Sequence, residues 1–325
     1  MRMQTDKKTG ALALIKELVI LLLIVFVVRT IGFGLYQVPT GSMETTILVG
    51  ERFFAEKFTP WFSKPARGDI IAFNQPETMY VYSSNPAILF VQQYIWGPVN
   101  LTKRVIGLPG DKVKGVIEDG KPVIYINDVK LDEPYVNKYP LISVYKESLQ
   151  EVDKLSEAYL TELLLTGRIR SSDVNELKGR VKEQFATQKS FDPAVSWDKQ
   201  PFYRIQEDRI ALNGEGEPVI RYPYTVLMPD QRPIQRGNGN YWGNSADEFY
   251  IELGPNQYWC MGDNRLGSGD SRYFGPVDGK HIHGRILYRI WSMDSDESWW
   301  ILDLLKHPID FWTRIRWNRF FERVR

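Results

Sequence analysis

Two residues of this chain are suited by type and setting to nucleophilic chemistry: Ser42, framed by Gly41 and Met43, and Lys103, set in an apolar run. A serine hydroxyl is a weak nucleophile until a base takes its proton. Histidine is scarce here, with only His281, His283 and His307, so a histidine triad or a zinc site has little material. A lysine can be the base if it is neutral, which requires burial to lower its pKa from about 10.4. Lowering it by two to three units costs roughly 3–4 kcal/mol of desolvation. Leu101-Thr102-Lys103-Arg104-Val105-Ile106 predicts a strand that runs into the turn Gly107-Leu108-Pro109-Gly110-Asp111. Leu101, Lys103 and Val105 then share one face, and Arg104 points to the other, where a carboxylate could hold it. Taken singly, a glycine-flanked serine is a turn residue and a strand lysine is a surface charge.

A third stretch, Gly262-Asp263-Asn264-Arg265-Leu266-Gly267-Ser268-Gly269-Asp270-Ser271-Arg272, is dense enough in polar residues and glycine to be a solvated loop. His281 and His283 share a face of a predicted strand with no carboxylate at ligand spacing, so they read as strand residues and not as a metalloprotease site. A single cysteine, Cys260, excludes an internal disulfide framework. The formal net charge of +1 gives no field to attract nucleic acid.

The positioning elements come next. Leu18 to Val28 is an unbroken apolar run, and apolar character resumes from Ile31 to Val38 after Arg29 and Thr30. Residues 18–36 are expected to form one transmembrane helix, since at about 1.5 Å per residue they match a roughly 30 Å hydrocarbon core. Arg29 can snorkel to the interface. Arg2, Lys7, Lys8 and Lys16 precede the run, which places residues 1–17 in the cytoplasm and the rest of the chain across the membrane. A cleaved secretory signal competes, because Gly32 and Gly34 form a small-x-small pair, but Arg29 interrupts that pattern. From Glu51 onward short apolar-alternating runs predict strands: Ile70 to Phe73, Val123 to Ile126, Val219 to Tyr222, Phe249 to Leu253 and Ile286 to Trp291. Within 135–250, Leu149, Val152, Leu155, Tyr159 and Leu163 recur at helical spacing. A second periodic stretch opens at Asp173 and runs through Leu177, Val181 and Phe185. The fold class expected is therefore a mainly antiparallel β catalytic region with an N-terminal transmembrane helix and an inserted helical hairpin. Its two catalytic parts are 37–134 and 251–298, and the insertion between them is 135–250. A basic, tryptophan-rich tail, 299–325, mixes Trp299, Trp300, Trp312 and Trp317 with five arginines and suits a membrane surface. A helix packed on the domain would fit it as well.

In order, Pro39 to Met43, Gly68-Asp69, Lys103 to Asp111 and Gly262 to Arg272 resemble the four boxes of the type I signal peptidases, which are Ser–Lys dyad serine proteases. The tail Ile315 to Phe321 is similar to that family's C-terminus, and 135–250 is not covered. The resemblance implies that Ser42 attacks the scissile carbonyl while Lys103 takes its proton. It also implies that Ser268 orients the lysine, and that the Thr40 hydroxyl and the Ser42 N–H form the oxyanion hole. Asp263, Arg265, Asp270 and Arg272 would brace the site, and Met43 and Ile47 would line a small apolar pocket for alanine-like residues. Three departures stand out: Thr40 replaces a serine, Leu266-Gly267 stands where Asp-Asn is usual, and Glu44-Thr45 replaces an apolar-Pro pair. The function implied is removal of signal peptides after a small-x-small motif, without metal or cofactor. The substrates would be exported preproteins. Membrane lipid is the other partner, with no nucleic acid. The site would sit on the outer, periplasmic face of the inner membrane. A Ser–Lys protease with another task and a non-catalytic scaffold that binds exported chains are the rivals.

Overall fold

The computed structural model describes residues 3–27, 32–57, 62–76, 85–86, 88, 100–230, 232–244, 246–295 and 300–324. Arg2, the stretch from Val28 to Ile31 with Arg29, Trp299 and Arg325 lie outside the described residues.

Helix α1 (Met3–Val27) opens the chain, and strand β1 (Phe33–Gln37) follows. The expected helix over 18–36 is corrected at its far end. Gly32 and Gly34 favour helix poorly, and Phe33 to Gln37 pair antiparallel with β2 (Arg52–Glu56) instead. Phe33 stacks on Phe54 with ring centroids 4.5 Å apart, which ties the entry strand to the body. Among the described residues no helix is long and apolar enough to cross a membrane.

The body continues through β3 (Ile70–Asn74), β4 (Asn100–Gly107), β5 (Lys112–Glu118), β6 (Lys121–Ile126), β7 (Val129–Lys130) and β8 (Leu141–Tyr145). Next come α2 (Leu149–Leu165), α3 (Val174–Glu183) and β9 (Ala186–Ser190). The two helices are the expected hairpin, joined side by side by Lys182 to Asp153 and Lys178 to Glu157 ion pairs. Short strands β10 (Ile220–Arg221), β11 (Ile234–Gln235) and β12 (Tyr241–Trp242) lead to β13 (Phe249–Glu252) and β14 (Gln257–Met261). A short helix α4 (Ser271–Phe274) and β15 (Val277–Asp278) precede the long β16 (Ile282–Trp291). Helices α5 (Trp300–Lys306) and α6 (Asp310–Thr313) close the chain.

Among the described residues three antiparallel sheets form. The main one runs β1-β2-β16-β3-β4-β14-β15, a second runs β11-β12-β13-β5-β6-β7, so residues 234–250 rejoin the body, and a third runs β10-β8-β9. The first two share a core of Ile106, Val113, Ile124, Phe249, Ile251 and Trp259, all at most 2% exposed. Ile142 and Val144 of β8 and the nearby Tyr203 pack against Leu48 and Val49, just after the serine turn.

Of the two arrangements open for the tail, the described residues pack on the domain. Three of its arginines turn inward: Arg314 pairs with Asp303, Arg316 with Asp294 and Arg319 with Glu51. Phe311 and Ile315 bury against Met293. An arginine drawn into such pairs gains more than one left beside exposed tryptophans, so the tail folds back onto β16. Ile309, Trp312, Trp317 and Phe321 remain exposed.

Candidate active site

Ser42 sits in a single turn, Gly41–Met43, between β1 and β2. Glu44 N–H closes the turn on the Gly41 carbonyl at 3.1 Å. Gly41 is required there, because a Cβ would stand 2.6 Å from the Glu44 carboxylate. Asn264 holds the turn from the opposite loop: its N–H donates to Ser42 O at 3.1 Å and its Nδ2 to Gly41 O at 2.9 Å.

Lys103 lies on β4, paired with Ile71 of β3, and its side chain is 3% exposed. Its Nζ is 2.6 Å from Ser42 Oγ. Ile71, Val105 and Cys260 form the apolar cluster along this face of the sheet. Burial lowers the Lys103 pKa to about 8; Asp270 opposes that, Arg272 adds to it, and Asp263 opposes it further. A pKa of about 8 leaves a minor fraction of the amine neutral near physiological pH, the form a general base would need.

The polar loop is not solvated. Asp263, Asp270 and Ser271 are fully buried and Arg272 is 1% exposed. Arg104, on the opposite face of β4 from Lys103, forms a bidentate pair with Asp263 at 2.8 and 2.6 Å. Asp263 also accepts from Thr46 Oγ1 at 2.6 Å. Arg272 joins Asp270 at 2.9 Å and Asp247 at 2.7 Å, and donates to Arg265 O at 2.7 Å. Arg265 pairs with Glu133 and reaches Gly262 O at 3.0 Å. Asp270 accepts from Gly262 N–H at 3.0 Å. Asp263, Arg265, Asp270 and Arg272 therefore each have a counter-charge, the condition under which charges stay in a dry interior.

Ser268 Oγ is buried with no hydrogen-bond partner, so the bond from Ser268 to Lys103 implied by the resemblance is not made here. The hydroxyl lies on the open side of Gly262, where a Cβ would collide with it and with Ser42 O. Thr40 is extended and exposed beside the serine. Met43 and Ile47 are fully buried in the core with Val38, Phe53 and Ile70, so neither lines an open pocket; the expectation that they do is corrected. Leu266-Gly267 forms a compact turn in which Gly267 N–H donates to Asn264 O at 3.1 Å. Glu44, Glu133 and Asp247 contribute to the site and were not singled out by sequence reasoning. Only the Glu44-Thr45 departure hinted at the first. Among the described residues no cluster of three or more His, Cys, Asp or Glu could hold a metal ion.

A serine hydroxyl against a buried amine, on a mainly antiparallel β body, is the equipment of a peptide-cleaving hydrolase. A family model described as "Signal peptidase, peptidase S26" matches residues 11–183 and 204–291, well over half the chain. Signal peptidase I of Buchnera aphidicola subsp. Acyrthosiphon pisum is 25% identical over 311 residues, covering 91% of this chain and 80% of that protein. Signal peptidase I of Rickettsia typhi is 34% identical over 136 residues, 36% of this chain and 43% of that protein. A crystal structure of a signal peptidase I from Enterococcus faecalis aligns at 19% identity and a TM-score of 0.25, over 69% of this chain and 97% of that one. The chain belongs to the signal peptidase family S26 and is a protease of the kind that acts on preproteins carrying signal peptides.

Proposed function

We propose that this protein removes N-terminal signal peptides from exported preproteins by a Ser42/Lys103 dyad, cutting after a small-x-small motif. The observation that carries the reading is the 2.6 Å approach of Lys103 Nζ to Ser42 Oγ in a buried setting. Neutral Lys103 accepts the serine proton as Ser42 Oγ bonds to the scissile carbonyl carbon. The Ser42 N–H and the Thr40 hydroxyl stabilise the oxyanion, each such donor being worth about 2.7–4 kcal/mol. Protonated Lys103 then gives its proton to the departing amine, leaving an acyl-enzyme on Ser42. A water, activated by the same amine, releases the product. Ser268 orients the amine once substrate fills the site, and Asp263, Arg265, Asp270 and Arg272 brace the loop that carries it.

A membrane anchor at the N-terminus is supported by α1, where every residue from Leu18 to Val25 is about half exposed, whichever side of the helix it occupies. A helical stretch apolar and exposed on all sides suits lipid, and the basic residues before it favour a cytoplasmic N-terminus. The catalytic region then lies on the outer face, where exported chains emerge. The exposed Trp312, Trp317 and Phe321 of the tail suit that surface.

The test is cleavage of a purified preprotein in detergent by wild type, Ser42→Ala and Lys103→Ala. Wild type is expected to cut after the small-x-small site, and both variants to be folded and inert. Cleavage surviving in either folded variant would remove the dyad from the reaction.

A further inference from the structure

Glu44 stands two residues past the nucleophile and is fully buried. Its carboxylate is gripped by the insertion. Ser190 N–H donates to Oε2 at 2.8 Å, Ser190 Oγ donates to the same oxygen, and the Tyr203 hydroxyl donates to Oε1. Each of these partners is itself anchored. Ser190 Oγ accepts from Asn137 Nδ2 at 2.8 Å, and Asn137 N–H donates to Asp263 O at 2.9 Å. The Tyr203 hydroxyl accepts from Val49 N–H at 3.1 Å. A closed circuit thus runs from the serine turn through Glu44 into the insertion and back to the Asp263 loop. The charged groups around it are Lys189, 4.9 Å from the Tyr203 ring, and Arg316, 5.0 Å from it, with Asp294 near both. Burial pushes the Glu44 carboxyl upward, opposed by the Ser190 and Tyr203 hydrogen bonds and by Lys189.

We propose that Glu44, clamped by Ser190 and Tyr203, is a positioning residue through which the 135–250 insertion holds the serine turn at the height where Ser42 Oγ meets Lys103. The proposal rests on the Ser42/Lys103 reading and extends it: the insertion is part of the machinery that aligns the nucleophile. Glu44 reaches the reacting atoms only through the backbone of the turn. The carboxylates acting on the Lys103 charge are Asp270 and Asp263. Loosening the clamp therefore lowers kcat without moving the pH at which Lys103 titrates. Glu44→Gln can keep its amide oxygen on the Ser190 N–H and hydroxyl and turn its N–H2 to the Tyr203 hydroxyl oxygen, so it retains most of the clamp.

The experiment combines kinetics on a preprotein with amide hydrogen exchange on the same full-length proteins. Misplacing a nucleophile by about 1 Å costs about 100-fold, so Glu44→Leu is expected to lower kcat by about that factor and Tyr203→Phe by about 10-fold. KM should stay within about twofold and Glu44→Gln should recover to within about threefold of wild type. The acid limb of the pH profile should stay in place, and the amides of residues 41–44 should exchange faster while those of β14 do not. Tyr203→Phe carries the test if Glu44→Leu fails to fold. Unchanged exchange at 41–44 in a folded variant, or unchanged kcat in both variants beside an active wild type, overturns the clamp. If wild type cleaves nothing while exchange at 41–44 still responds, the clamp stands and the signal peptidase reading of the site fails instead.

Discussion

Replacing Lys103 with methionine should make the protein inactive and, at neutral pH, more stable. The variant keeps most of the side chain's volume and discards its charge. Folding lowers the lysine's pKa from 10.5 to about 8, chiefly by burial. At about 1.4 kcal/mol per pH unit, holding the charged amine in the folded protein costs about 3 kcal/mol below pH 8. The sign follows from proton counting. Between pH 8 and 10.5 the unfolded chain keeps the Lys103 proton and the folded chain has released it, so wild-type stability rises with pH across that window. Lys103→Met has no such titration. It should therefore exceed wild type by about 3 kcal/mol at pH 7, with the gap closing as pH approaches 10.5. Urea unfolding of both proteins in the same detergent at several pH values reads this directly. A gap that does not change between pH 7 and 10.5, or a wild type more stable at pH 7, would refute the argument that burial costs the lysine its charge.

Two further outcomes follow from the same geometry. The rate constant kcat/KM should fall about tenfold for each pH unit below about 8, as Lys103 takes up its proton; initial rates on a preprotein from pH 5 to 9 measure it, and a flat profile counts against this base. Gly262→Ala should lower kcat by about 100-fold, since its methyl group collides with Ser268 Oγ and the Ser42 carbonyl. Gly269→Ala in the same loop, with nothing within 4 Å of its Cβ, is the matched control and should keep wild-type rates.

Much of the site was legible because it is local in sequence. Alternation along β4 was enough to send Lys103 into the apolar side and Arg104 toward a carboxylate, which is Asp263. The periodicity of α2 and α3 was likewise readable, since it depends on neighbours three and four residues away. What escaped depends on long-range pairing. The polar loop reads as solvated until Arg104, Glu133 and Asp247 arrive from distant segments to neutralise it. Glu44 reads only as a departure from the family pattern until Ser190 and Tyr203 are brought against it. The end of α1 was misplaced because hydropathy does not distinguish an apolar helix from an apolar edge strand. Only the pairing of Phe33 to Gln37 with β2 decides it. Met43 and Ile47 were expected at a pocket and lie in the core because apolar character next to a nucleophile suits either place.

The order of strands in the main sheet bears on when this enzyme becomes dangerous. Ser42 follows β1 and precedes β2, Lys103 lies on β4, and the two halves are joined through β16, which fits between β2 and β3. Among the described residues β16 follows every other strand of this sheet. During synthesis Ser42 and Lys103 are both made well before the strand that brings β2 and β3 into one sheet, so an unfinished chain would carry the proposed dyad unassembled. A chain truncated before Ile282 should be inert however well its remaining segments pack. On the proposed dyad, cleavage would therefore wait for β16.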